Sequence, residues 1–365
     1  MIYIEKILLT ICMLLSLINV IFGHNGNTQP FHFYPVNPMT AKNCPNTDQY
    51  EYFLGKCFCA PGWELDTNSG NCSIPLIKNG NCECPPDVPV AERSSKYLRN
   101  STWEHVDGYV CSSLCRWNSQ LGTIRSNPVE WDFNQKAKQW KFYNNDLPKA
   151  SWNSYNHLRQ RLDEFAESFD EYRVLNHSYL GNVCEFGAGG WTQLRSIMSR
   201  VNVTVDAVTL VEPQMQEYRK IKGCSYQHGQ LLGLPTTLVP KTVEEFGKEN
   251  TVQFDTIIDM NVLVYVQDAL VFLTTLYNSL KMNGTLIFHE RWFPDSVKSE
   301  KCFTAGYGHN VIQVRKPLLD HFLSKFSTDI YINTNQSSHQ INRSKGWCQW
   351  QDDEIAYWVV AKKIA

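Results

Sequence analysis

Asn182-Val-Cys-Glu185-Phe-Gly187-Ala-Gly189-Gly190-Trp191-Thr192-Gln193 is the stretch on which the fold turns. A short apolar strand ends in a carboxylate, a glycine turn follows, and a helix begins. Glycines let a backbone approach a ligand with no Cβ in the way. A carboxylate at the strand end can hold a cationic or hydroxylated group, and open α/β sheets bind ligands outside the carboxyl ends of their strands. A nicotinamide dinucleotide site needs G-x-G-x-x-G, the third glycine serving close helix packing. Counted from Gly187, that third position is Thr192, so the pyrophosphate fingerprint fails.

Three further pieces follow downstream. Val208-Thr-Leu-Val-Glu212-Pro is again a strand ending in a carboxylate, 27 residues after Glu185. An acid there can accept both hydroxyls of a ribose. Phe254-Asp-Thr-Ile-Ile-Asp259-Met-Asn261 is an apolar strand that ends near Asn261 before a helix. Leu280-Lys-Met-Asn-Gly284-Thr-Leu-Ile-Phe-His289-Glu290 passes through an Asn-Gly turn into a strand that delivers His289 and Glu290 to the same rim. The complete set of predicted strands is Asn182–Phe186, Asp206–Val211, Thr236–Val239, Thr256–Met260, Gly284–His289, Asp329–Ile332 and Ile355–Ala361. Helical periodicity fills most gaps, as in Asp268–Lys281, where Phe272, Leu276 and Leu280 recur at i+4, and in Lys316–Phe326. Alternating β and α at this spacing predicts an α/β fold with a doubly wound, mostly parallel sheet. The last two strands lack a helix between them, which predicts an antiparallel pair at one edge.

In this order and spacing, the four pieces over roughly residues 150–363 resemble a class I S-adenosylmethionine-dependent methyltransferase, most closely the small-molecule group called methyltransferase type 11. The resemblance implies a Rossmann-like methyltransferase sheet of seven strands, one of them antiparallel, and S-adenosyl-L-methionine as cofactor. It places Glu185, Gly187 and Gly189, with Gly190 beside them, around the methionine part. It also places Glu212 at the ribose and Asn261 beside the reacting methyl. His289 and Glu290 are the candidates for catalysis, and no metal site is assigned. There are departures from the pattern. Trp191 stands where the last glycine of the usual turn would be. No acid directly follows the third strand, and Glu244 and Glu245 come later, so no residue is assigned to adenine. Plainer readings stand beside these. Glu185 is also a candidate cap for the helix after the turn, Glu212 a solvated acid before Pro213, and His289-Glu290 the end of a strand. Cys184 reads as a buried hydrophobe.

The rest of the chain sets the context. With 365 residues and a net charge of −2, it lacks the basic footprint of a nucleic-acid binder. Lys6 followed by an apolar run from Ile7 to Phe22 reads as a signal peptide over 1–23, and no later stretch spans a bilayer. Residues 24–43 read as a linker. Residues 44–115 form a cysteine-rich region, 116–180 a helical prelude with helices near Val129–Phe142 and Trp152–Tyr172, and 181–365 the methyltransferase domain. Eight of the 13 cysteines fall between residues 44 and 115, the usage of an oxidising compartment. Cys57-Phe-Cys59-Ala-Pro-Gly62-Trp63 and Cys72 resemble the second half of an EGF-like module, which implies Cys59–Cys72 and Cys44–Cys57. Cys302 and Cys348 are expected to pair on the carboxyl-end rim. Seven N-x-S/T sequons, at Asn71, Asn100, Asn176, Asn202, Asn283, Asn335 and Asn342, agree with secretory passage. The expectation is a secreted or lumenal methyltransferase acting on an unknown small-molecule, glycan or protein acceptor. The cysteine-rich region is a candidate surface for protein or glycan contact. The alternative is a secreted EGF-like interaction protein carrying an inactive methyltransferase fold.

Overall fold

A computed structural model describes residues 44, 50–60, 63–66, 68–75, 117–118, 120–125, 174–221, 223–292, 312–333 and 355–364. The leader, the linker, both predicted prelude helices and the Cys302–Cys348 pair lie outside these residues. Chain order opens with two antiparallel hairpins, β1 (Tyr50–Phe53) with β2 (Lys56–Cys59), and β3 (Trp63–Leu65) with β4 (Cys72–Pro75). Disulfides Cys44–Cys57 and Cys59–Cys72, with Cα atoms 5.8 and 5.4 Å apart, staple them in the pairing that the EGF-like resemblance implies. Short strands β5 (Trp117–Asn118) and β6 (Gly122–Thr123) follow.

The principal sheet begins with β7 (Tyr179–Phe186). It continues through helix α1 (Gln193–Arg200), β8 (Thr204–Val211), α2 (Met215–Tyr218), β9 (Thr236–Val239), α3 (Val243–Glu249) and β10 (Phe254–Met260). A 3-10 turn at Leu263–Tyr265 leads to α4 (Ala269–Ser279) and β11 (Leu280–Trp292). Then come β12 (Gln313–Val314), α5 (Lys316–Leu323), β13 (Phe326–Asn333) and β14 (Ile355–Lys363). Strands β12, β6 and β5 form a small separate sheet.

The seven-stranded order is β13-β14-β11-β10-β7-β8-β9. Strand β14 is antiparallel to both β11 and β13 and is the one reversed strand. The others run parallel. This is the architecture that the strand-helix rhythm and the resemblance lead one to expect. Each predicted strand is present and most run two to four residues longer. The central strands are apolar on both faces because both are covered. Phe186, Phe288 and Tyr357 face a core built with α3, α4 and α5. Val183, Ile258, Ile287 and Trp358 face a second core with α1 and α2.

Helix α4 shows how local chemistry sets these boundaries. Asp268 accepts from the amides of Leu270 and Val271 at its start. At its end, Lys363 Nζ on β14 donates to the carbonyls of Tyr277 and Leu280, at 2.7 and 2.9 Å. Among the described residues, no helix is long and apolar enough to cross a membrane.

The first stapled hairpin shares the first core rather than forming its own. Phe53 and Phe58 pack with Leu121, Ile124, Phe322 and the α4 side chains. His321 on α5 sets its Nε2 against the carbonyls of Phe53 and Leu54, at 3.0 and 3.1 Å. Arg125, 7 % exposed, pairs with both Glu51 on β1 and the helix-capping Asp268. Burial works against the Arg125 charge, but Asp268 and Glu51 outweigh it and hold the guanidinium firmly protonated. Burial raises the Glu51 carboxyl despite its pairing with Arg125.

Candidate functional site

The strand order reverses between β7 and β10. The chain winds outward through β8 and β9, then crosses back to β10 on the other side of β7. Such a switch point opens a crevice at the carboxyl ends of the strands. Glu185, the glycine turn, Glu212, Asn261, His289 and Glu290 all lie at those ends.

The turn after β7 is held from several directions. Gly187 and Ala188 donate their amides to Val211 O on β8, at 2.8 and 3.3 Å. Gly189 N–H donates to Glu212 Oε2 at 3.0 Å, while Glu212 Oε1 accepts from Gln214 N–H at 2.9 Å. A clasp from the 224–226 turn completes the hold. The Tyr226 hydroxyl donates to Gly189 O, Ser225 N–H donates to Gly190 O at 2.9 Å, and Ser225 Oγ accepts from Thr192 N–H at 3.1 Å. Sequence reasoning missed Ser225 and Tyr226. They lie in a loop with no periodicity, and only the tertiary docking brings them to the glycines.

Glu185 adopts its plainer reading. Its two carboxylate oxygens accept from Gln193 N–H (2.6 Å) and Leu194 N–H (3.0 Å), the first amides of α1. Thr192 Oγ accepts from Arg195 N–H, so the next amide of the helix start is also satisfied in the chain. This geometry strengthens the exclusion of a pyrophosphate, which would need those amides for itself. Trp191 is buried within the turn.

Across the switch point lies the turn after β10. Asn261 has a left-handed backbone (φ 63°), a conformation that asparagine tolerates better than most residues. Its N–H donates to His289 O at 2.7 Å. Its Oδ1 is buried and has no hydrogen-bond partner among the described residues. Gly187, at φ 61°, packs directly against Val262, and a Cβ at 187 would stand 2.5 Å from Val262 Cγ2. The two turns therefore touch.

Glu290 is fully buried beneath the second turn, and its Oε1 accepts from the amides of Val262 and Leu263. Beside it, Asp259 is also fully buried. Burial and the neighbouring Glu290 charge hold Asp259 well above the usual carboxylate range. Burial pushes Glu290 up to about 7, against the pull of the Leu263 and Val262 amides. Burial and mutual repulsion therefore favour a proton on the pair over ionisation of both carboxyls. His289 is buried with its ring stacked on Trp358, centroids 3.6 Å apart. Burial, helped by Arg291, depresses it well below the ordinary histidine range, so its imidazole is neutral. Glu212 is buried and pushed up to about 7 by desolvation, with the Gln214 and Gly189 amides opposing.

Glu244 and Glu245 are accounted for locally. Glu244 Oε1 accepts from Gln267 and Asp268 amides, and Glu245 completes a capping box with Thr242. Cys184 is buried in β7, where burial raises its thiol well above the ordinary value.

No protein-family model matches the sequence, and no curated protein does. Solved structures do. N-methyltransferase NodS from Bradyrhizobium japonicum is 12 % identical, covers 61 % of this chain and 99 % of its own, and superposes with a TM-score of 0.36. A putative sarcosine dimethylglycine methyltransferase from Galdieria sulphuraria is 12 % identical over 56 % of this chain and 86 % of its own, at 0.39. A SAM-dependent methyltransferase from Leishmania major is 12 % identical over 63 % and 85 %, at 0.38. The fold assignment rests on the strand order and register of the chain itself.

Proposed function

We propose that this chain is an S-adenosylmethionine-dependent methyltransferase of the secretory pathway. The observation that carries the reading is the Glu212–Gly189 contact at the switch point: a buried carboxylate at the end of β8 reaches the glycine turn of β7. The residues fit the cofactor. Each Glu212 oxygen accepts one backbone amide and keeps capacity for a second donor, which suits a ribose diol. The α1 amides are taken by Glu185, which suits a nucleoside without a diphosphate. Asn261 offers a buried, unmatched amide oxygen on the facing turn.

The bound cofactor supplies an electrophilic methyl on a sulfonium. The chain's part is to position. Glu212 holds the ribose, the clasped glycine turn presents bare backbone to the methionine part, and Asn261 orders the side from which an acceptor arrives. A hydroxyl acceptor must also lose a proton. His289 and Glu290 are the proposed residues there. Acceptors met along the secretory route, whether glycans, secreted proteins or small metabolites, are the proposed substrates.

The burial of His289 and the engagement of Glu290 by backbone amides favour a second reading, an interaction protein that keeps the fold without turnover. Calorimetry with S-adenosylhomocysteine separates the two. Glu212→Gln is expected to weaken binding tenfold or more, and to lower Tm as well, because its amide NH2 leaves one of the two buried backbone donors unmatched. Because the diol needs an ionised acceptor, wild-type affinity is expected to rise as pH passes through about 7 and to level off by about pH 8, and the Glu212→Gln profile to be flat. No binding by the oxidised wild-type chain would sink the enzyme reading.

A further inference from the structure

The end of the sheet opposite the rim has its own composition. Among the described residues, five of the six exposed large apolar side chains lie there: Val174, Tyr179, Val252, Met282 and Ile364, at 40–63 % exposure. Val174 precedes β7 and Tyr179 opens it, Val252 precedes β10, and Met282 sits in the first residues of β11. Ile364 follows β14, whose reversed direction brings its last residue to this same edge. Soluble chains rarely leave so many apolar groups at one end without a cover.

Three sequons mark the same edge. Asn176 precedes β7, Asn202 precedes β8 and Asn283 lies in the turn at the start of β11, and all three are exposed. Strands β11, β10, β7 and β8 are consecutive in the sheet, so the asparagines span three strand spacings, roughly 15 Å. Val252, just before β10, lies between them. Asn176 Oδ1 accepts from Asn202 N–H at 3.0 Å, so its amide oxygen is engaged in the fold. Strands of eight residues separate this edge from the glycine turn by roughly 25 Å.

We propose that Asn176, Asn202 and Asn283 carry N-linked oligosaccharides that cover the apolar amino edge of the sheet and leave the rim open. The donor is a lipid-linked diphospho-oligosaccharide. A bond forms between sugar C1 and the asparagine Nδ2, the C1–O bond to the lipid diphosphate breaks, one amide proton is released, and the lipid diphosphate leaves. The sequon is read on the extended chain, so burial of Thr285 in the finished fold is no obstacle. The inference rests on the secretory part of the proposed function.

The full chain is translated with microsomes in two forms, with its own leader and with a leader of established secretory routing, and entry is scored by protection from added protease. Peptides are then treated with a glycan-releasing amidase, which leaves Asp at every modified Asn. Asp is expected at 176, 202 and 283 in protected chains. Protected chains with Asn unchanged at these positions overturn the proposal, whichever leader was used. Modification with the substituted leader but not with the native one supports the sites and overturns the compartment reading instead. A companion variant, Ser178→Ala with Thr204→Ala and Asn283→Asp, removes the sequons while keeping the Asn176–Asn202 bond and a residue that tolerates the left-handed backbone at 283. It is expected to self-associate more by light scattering while binding S-adenosylhomocysteine as the wild type does. A wild-type dimer that is lost on Tyr179→Ser with Met282→Ser would mean that a second copy covers this edge, and would overturn the proposal.

Discussion

Glu185 and Glu212 show how one residue type at two equivalent strand ends takes two roles. Both carboxylates accept one backbone amide on each oxygen, but the donors to Glu185 are the first amides of α1, whereas Glu212 ties β8 to the glycine turn. Glu185→Ala leaves two buried donors unmatched and is expected to cost about 1–3 kcal/mol of stability, read by denaturant unfolding. Affinity for S-adenosylhomocysteine should fall less than stability does. A full loss of binding at unchanged stability would show that Glu185 contacts the ligand. The Asp259–Glu290 pair gives a pH prediction. Both groups titrate higher in the fold than in the open chain, so the native state holds more protons between the ordinary carboxylate range and about 7. Their contribution to stability is therefore present at low pH and is lost as pH rises through that window. Glu290→Gln mimics the protonated acid, and its stability is expected to fall less than that of the wild type between pH 5 and pH 7.

At the level of elements, the glycine turn and the Asn261 turn meet at Gly187 and Val262. Gly187→Ala faces two separate costs. The left-handed backbone costs roughly 1–2 kcal/mol for an L-residue, and the added methyl overlaps Val262. Adding Val262→Ala is expected to relieve the overlap and leave the backbone cost, so the double variant should regain part of the lost stability. No recovery would mean that the conformation at 187 dominates. The elements themselves were readable because apolar runs ending in Gly, Asn or an acid state their own boundaries. Thr236–Val239 has the same limits in sequence and structure. The small β5-β6-β12 sheet was not readable. Each strand has only two residues, and β12 lies about 190 positions from β6, so no local pattern announces the pairing.

For the whole molecule, the first stapled hairpin is integrated with the α/β sheet. The buried Glu51–Arg125–Asp268 bridge joins a disulfide-held strand to the start of α4, and Phe58 adds an aromatic anchor beside His321. Arg125→Met strands two carboxylates in a low-dielectric site and is expected to cost about 3–5 kcal/mol. Calorimetry of the oxidised protein should show one transition that moves to lower temperature with Arg125→Met, or on reduction of Cys44–Cys57 and Cys59–Cys72 by a dithiol. Two independent transitions would mean that the hairpins fold apart from the sheet.

The sequence by itself determined what depends on near neighbours: the alternation of strands and helices, the failed pyrophosphate fingerprint at Thr192, the burial of Cys184, and the strand ends that carry Glu185, Glu212, Asn261 and His289. Tertiary structure alone decided which groups those side chains serve. A carboxylate's role is set by the donors within about 3 Å of it, and here the donors to Glu212, Glu244 and Glu290 come from turns 2 to 28 residues away. Arg125 meets Glu51 and Asp268 across 74 and 143 positions, and Tyr226 meets Gly189 across 37. Such pairs leave no periodic trace, because periodicity records only which way a side chain faces and not what has been folded against it.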